Sequence, residues 1–167
     1  LINLPLFSIE DSERIPADFK NIKDLSKQFS TFDPYEPVMK DVAAYIFTSG
    51  TTGLPKAALV DHAKLVKGSF AGHFLCFNFK TKDRLYMTLP LYHSTGLVLG
   101  WAASLRAGCA NIIKPKFSAS EFWSDVKKYK ANKFIYVGEL CRYLMNLPAS
   151  ETDKSNSIVQ ISGNGLR

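Results

Sequence analysis

Thr48-Ser49-Gly50-Thr51-Thr52-Gly53-Leu54-Pro55-Lys56 places four hydroxyls, two glycines and a lysine in nine consecutive positions. Glycines let backbone N–H groups converge on an anion with no side chain in the way, and hydroxyls add rotatable donors. Lys56 adds a mobile positive charge, and the set suits the oxygens of a polyphosphate. A polar hairpin turn between two strands uses the same residue types; the donor density together with Lys56 favours the phosphate reading. The stretch is not a Walker A loop, which needs glycine directly before the lysine and a helix after it. Here Pro55 precedes Lys56, and the strand-like Ala57-Ala58-Leu59-Val60 follows.

Two further loops stand out, Pro90 to Gly96 and Ser162 to Arg167. His93, between Tyr92 and Ser94, reads either as a site residue or as a packed loop histidine. Glu139 beside Arg142 reads as an ion pair at a helix start. The histidines His62, His73 and His93 have no Cys or carboxylate partner at ligand spacing, so no metal site is expected. No G-x-S-x-G elbow supports a hydrolase.

The elements that must position these loops alternate. Short apolar runs at Ala43–Phe47, Ala57–Val60, Arg84–Leu89, Cys109–Ile113, Lys133–Val137 and Ser157–Ile161 read as strands, the first of them buried. Between them, Asp61 caps a helix bearing Leu65, Val66, Ser69, Phe70, His73, Phe74 and Phe77 at helical spacing. Thr95–Arg106 forms a helix rich in small residues, suited to core packing or to a tunnel wall. Ser118 and Glu121 predict a capping box for a helix burying Phe122, Trp123, Val126 and Tyr129, and Glu139–Asn146 makes a fourth helix. Gly68 and Gly72, four apart, allow that helix to pack closely on the sheet. The expected fold is α/β with a largely parallel sheet, whose ligands gather beyond the carboxyl ends of the strands.

Composition agrees with a globular chain: 167 residues, 46% hydrophobic and 22% charged. The longest apolar run, Leu97 to Leu105, is far short of the roughly 20 residues of a spanning helix. Three cysteines without a CxxC pair argue against a secreted disulfide scaffold. Residues 1–40, rich in proline and net −2, read as an irregular connecting arm; residues 41–167 are net +8. Much of the surplus lies in Lys114, Lys116, Lys127, Lys128, Lys130 and Lys133, read as a solvated helix face or a polyanion patch. Lys67 to Phe74 resembles an RNP1 strand only faintly, and its helical spacing argues against RNA. An opening Leu1 and a turn-rich close predict an internal piece of a longer protein.

Tyr45 to Lys56 closely resembles the AMP-binding signature of acyl-adenylate-forming enzymes, and Leu89-Pro90-Leu91-Tyr92-His93-Ser94-Thr95-Gly96 resembles that family's next motif. Tyr136 to Leu144 and Gly163-Asn164-Gly165-Leu166-Arg167 resemble the fatty acid transport protein and very-long-chain acyl-CoA synthetase branch. The resemblance runs from Asp41 to the last residue and makes 41–167 part of the large N-terminal domain of such enzymes. It implies ATP-dependent activation of a long- or very-long-chain fatty acid to acyl-AMP and then acyl-CoA, with fatty-acid uptake by binding alone as the alternative.

By the same resemblance, Thr48, Ser49, Gly50, Thr51, Thr52, Gly53 and Lys56 grip ATP phosphates, and Gly163, Asn164 and Gly165 line the adenine pocket. His93 and Gly96 sit where nucleotide and acyl group meet, and Val137, Gly138 and Glu139 border the acyl pocket. The glutamate that helps hold Mg2+, the ribose-binding aspartate and a C-terminal domain with a catalytic lysine would follow Arg167. The chain alone is then expected to be inactive. The implied partners are fatty acid, ATP and coenzyme A, with no nucleic acid. An anchoring segment upstream would associate the protein with endoplasmic reticulum, peroxisome or plasma membrane.

Overall fold

A computed structural model describes residues 6–8, 19–21, 27, 34–48, 54–150 and 155–165. The chain divides into two compact units, Leu1–Glu36 and Pro37–Arg167. In the first, β1 (Leu6–Ser8) and β2 (Phe19–Asn21) pair in parallel, within the segment the sequence presents as an irregular arm.

The second unit holds an antiparallel hairpin and a parallel sheet. The hairpin joins β3 (Val42–Thr48) to β4 (Lys56–Asp61), with Thr48 opposite Lys56. The sheet has four strands in the order β6-β5-β7-β8, all parallel: β5 (Arg84–Met87), β6 (Ala110–Ile113), β7 (Lys133–Val137) and β8 (Gln160–Asn164). The last strand lies three residues beyond the expected Ser157–Ile161. Ser157 is held outside the ladder, where its hydroxyl donates to the Ala131 carbonyl at 2.6 Å.

Helices connect the strands. α1 (His62–Phe70) runs on in wider π turns over Ala71–Phe77, and α2 starts in π turns over Thr95–Ala102 and ends as α-helix over Ala103–Ala107. α3 is Ala119–Tyr129 and α4 is Gly138–Met145. Asp61 caps α1 as expected, accepting from the Lys64 amide at 2.6 Å. The expected capping box on α3 does not form. The Ser118 hydroxyl pairs instead with that of Ser120, and Glu121 reaches toward Lys114.

Strand alternation splits the sheet's side chains between two cores. Leu85, Met87 and Ile135 face Phe77, Phe79 and Ala103, while Tyr86 and Phe134 face Phe122, Val126 and Ala131. Gly68 and Gly72 serve α2, not the sheet. A Cβ at Gly72 would lie 2.7 Å from the Ala103 methyl and 2.8 Å from the Leu99 carbonyl oxygen, and one at Gly68 would collide with Val98.

The hairpin departs from the expected buried strand. Of β3 only Ile46 is buried, and Tyr45 and Phe47 are 60% and 70% exposed. Each strand of this two-stranded hairpin is paired along one edge only, and nothing among the described residues covers its Tyr45–Phe47 face. The lysine group also divides: Lys133 is buried, donating to the Phe77 carbonyl at 3.1 Å and to Gln160, near Asp83. Lys114 pairs with Asp125 at 2.8 Å. Lys116, Lys127, Lys128 and Lys130 are exposed.

Candidate functional site

Because the four sheet strands are parallel, their carboxyl ends share one edge, and the loops leaving them meet there. The loop after β5 turns at once: the His93 amide donates to the Pro90 carbonyl at 3.0 Å, and the Leu97 amide to the His93 carbonyl at 2.9 Å. The His93 ring is oriented by its own loop, its Nδ1 accepting from the Thr95 amide at 3.2 Å. In the neutral ring the proton therefore sits on Nε2, which is left as a donor on an exposed side chain. Gly96 is buried directly behind. A Cβ there would stand 2.6 Å from the Pro90 carbonyl oxygen and 3.1 Å from that of Leu89, so the turn closes only over glycine.

β8 brings the second group of residues. It runs beside β7, with Gly163 opposite Tyr136 and Asn164 opposite Val137. A Cβ at Gly163 would meet the Tyr136 carbonyl and lie 2.7 Å from its ring, so glycine lets an aromatic side chain settle over the edge strand. The Asn164 amide group donates to the Thr95 hydroxyl at 3.2 Å, tying the end of β8 to the start of α2. Gly165 takes φ +73, a conformation open to glycine, within 3.5 Å of Gly138 N for an added Cβ.

β7 passes directly into α4, so Val137, Gly138 and Glu139 stand at the same edge. No side chain caps this helix, which leaves its first amides available. Glu139 makes an exposed ion pair with Arg142 at 3.4 Å, the geometry its spacing foretells, worth little to stability.

Behind the edge a buried chain pins α3 to the sheet. The Tyr86 hydroxyl donates to Asp125 at 2.8 Å, and Lys114 pairs with the same carboxylate oxygen. Burial pushes the Asp125 carboxyl upward, but the hydrogen bonds from Lys114 and Tyr86 outweigh it and hold it below the usual carboxylate range. Burial, reinforced by Asp125, pushes the Tyr86 phenol well above its ordinary value.

The structure thus gathers His93, Gly96, Val137, Gly138, Glu139, Gly163, Asn164 and Gly165 at one edge. Thr48 and Lys56 belong to the separate hairpin, where the Thr48 hydroxyl donates to the Lys56 carbonyl at 3.3 Å. Lys56 has no ion-pair partner among the described residues. Ser49, Gly50, Thr51, Thr52 and Gly53 lie outside the described residues. Two residues at the edge escaped the sequence reading of the site. Thr95 is buried between His93 and Asn164, and its place inside the His93–Gly96 motif could have flagged it. Thr88, just past β5, has a buried hydroxyl with no hydrogen-bond partner among the described residues, for which no sequence signal exists. No group of three or more His, Cys, Asp or Glu residues able to hold a metal occurs among the described residues.

Comparison with known proteins places these features in context. The pattern of the AMP-binding enzyme family matches residues 6–165, extending into the first forty. Human long-chain fatty acid transport protein 6 is 40% identical over 174 aligned positions, covering 99% of this chain and 27% of that protein. The medium/long-chain-fatty-acid–CoA ligase FadD6 of Mycobacterium tuberculosis is 37% identical, covering 92% of this chain and 27% of the ligase. The chain therefore spans about a quarter of the length of these relatives. Among solved structures, ATP-bound MatB from Rhodopseudomonas palustris superimposes with a TM-score of 0.69 at 26% identity, covering 78% of this chain and 27% of MatB.

Proposed function

Since the chain belongs to the AMP-binding enzyme family, we propose that the intact protein is a fatty acid–CoA ligase of the AMP-forming type. A long- or very-long-chain carboxylate attacks the α-phosphorus of ATP, the bond to the β-phosphate breaks, and acyl-AMP and pyrophosphate result. The thiol of coenzyme A then attacks the acyl carbon, and AMP leaves. The observation that carries this reading is the Asn164–Thr95 hydrogen bond, which fastens the proposed adenine strand to the proposed nucleotide–acyl junction.

In this reading the hairpin loop from Thr48 to Lys56 holds the β- and γ-phosphates and stabilises the charge that moves onto departing pyrophosphate. Gly163, Asn164 and Gly165 present backbone to adenine, with Asn164 oriented by Thr95. His93 offers Nε2–H toward the junction, and Gly96 leaves room beside it. Val137, Gly138 and Glu139 border the acyl group. The Mg2+ that accompanies ATP is proposed to take its protein ligand elsewhere in the intact protein. Residues 41–167 are then part of the AMP-binding α/β domain and 1–40 a connecting arm. A setting at endoplasmic reticulum, peroxisome or plasma membrane belongs to the same proposal; no described helix is long and apolar enough to cross a membrane.

The test is fatty-acid-dependent ATP–pyrophosphate exchange by the intact protein. Lys56→Ala should lower the exchange rate by roughly 10²-fold, the size of losing one preorganised charge donor. Unchanged exchange would sink the phosphate assignment. An intact protein that binds fatty acid but never releases AMP would instead mark uptake by binding alone. The 167-residue chain by itself should show no exchange.

A further inference from the structure

Lys133 is buried at the amino end of β7, away from the loop-bearing edge, and the proposed chemistry makes no use of it. Its ammonium donates to the Phe77 carbonyl at 3.1 Å and to Gln160, with the Asp83 carboxylate 3.9 Å away. The Gln160 side-chain amide, at the head of β8, donates in turn to the Cys76 carbonyl at 2.8 Å. Cys76 and Phe77 close the wide-turned run that continues α1. Two strands of the sheet therefore hold the last two carbonyls of that run, which helical winding leaves unpaired.

The other end of α1 is fastened to the hairpin. β4 ends at Asp61 and α1 starts at His62, with no loop between them. The His62 and Ala63 amides donate to the Asp41 and Met39 carbonyls at 3.0 and 2.8 Å, where the chain enters β3. The Lys64 ammonium reaches back to the Leu59 carbonyl at 3.1 Å. Between these ends α1 rests on α2 through Gly68 and Gly72, which set how near the two helices lie. The polar tie along the way, from Arg106 to the Ser69 hydroxyl at 2.8 Å, ends a long and flexible side chain. The place of α1 along its own axis is thus fixed chiefly at its two ends.

We propose that Lys133 and Gln160 are positioning residues. By gripping the Phe77 and Cys76 carbonyls they set where α1 stands along its axis, and with it where the hairpin presents Thr48 and Lys56. The consequence for phosphate handling rests on the function proposed above; the grip on α1 does not.

The test has two arms. In the full chain, amide deuteration is followed residue by residue for Gln160→Leu and for Lys133→Met/Asp83→Asn, which removes both charges of the pair and so leaves no carboxylate buried without its cation. Each should speed deuteration of α1 and its wide turns at least about fivefold more than that of the β5–β7 ladder, because a lost tie frees one element locally. Asp83→Asn alone keeps both carbonyl contacts and should show no such selective effect. Equal acceleration in α1 and the ladder, as from a general loss of stability, or selective acceleration in Asp83→Asn would overturn the proposal. In the intact protein, the same two clamp variants should raise KM for ATP at least about threefold while kcat changes less, since the phosphate arm is displaced and not removed. An unchanged KM, where Lys56→Ala does impair turnover, would overturn the placing of the hairpin. If Lys56→Ala itself has no effect, the phosphate assignment has failed, and the deuteration arm still decides the grip on α1.

Discussion

The parallel sheet and the β3–β4 hairpin carry the two halves of the candidate site, and they are built in opposite ways. The sheet has helices on both faces, and its edge residues are held by hydrogen bonds that cross from one strand to the next loop. The hairpin has a ladder and one buried side chain, Ile46, with its loop chemistry at the tip. The difference is that between a positioned surface and a reaching one. In the function proposed above, the residues assigned to adenine and the acyl group sit on packed strands, whereas Thr48 and Lys56, assigned to phosphates, sit on a hairpin with few packing constraints.

The sharpest way to break this contrast is a matched pair of truncations. Leu85→Ala, inside the sheet core, should destabilise the chain by roughly 3 kcal/mol in urea unfolding. Tyr45→Ala on the exposed hairpin face should stay within about 0.5 kcal/mol. Similar losses at both positions would mean that the hairpin is packed as tightly as the sheet.

Asn164→Ala tests the tie across the edge. Removing its hydrogen bond to Thr95 should cost about 1 kcal/mol of stability. If β8 meets adenine as proposed, the change should raise KM for ATP in the intact protein more than it lowers kcat, because the lost contact orients that strand.

Acid gives the smallest and most graded effect. The Asp125 carboxyl is held low despite its burial, by Lys114 and Tyr86; that of Asp83 is held low despite its burial by the Lys80 amide, Asn132 and Lys133. A depressed folded value means that the stabilisation is complete above the unfolded carboxylate range, near pH 4, and is lost as pH falls through the folded values. Urea midpoints should therefore decline from pH 5 toward pH 2, and Asp125→Asn should flatten part of that slope. A midpoint independent of pH over this range would count against the buried pair as a tether for α3.

Much of the sheet was legible because its strands and helices announce themselves by period. Arg84–Met87 and Lys133–Val137 are short apolar runs, and the α3 stripe of Phe122 and Val126 repeats at helical spacing. What could not be read was set by partners distant in sequence. The exposure of Tyr45 and Phe47 reflects that no layer among the described residues covers them, which their apolar character gives no hint of. The failed capping box reflects competition, since Ser118 has Ser120 beside it and Glu121 has Lys114 within reach. Burial of Lys133 requires Asp83, Gln160 and the Phe77 carbonyl, dispersed over more than eighty residues, to converge. The site residues at the edge were recognisable as motifs, but the hydrogen bond that joins two of those motifs needs the fold.

The over-wide turns at Ala71–Phe77 and Thr95–Ala102 make local length a form of aim. Excising one residue from the first run would let it tighten to ordinary winding with the flanking register nearly kept, because a wide turn takes up about one extra residue. Phe77 would then stay on the Leu85–Met87 face. The same excision from α3, which has no slack of this kind, would swivel everything downstream by about 100° and turn Val126 away from the sheet.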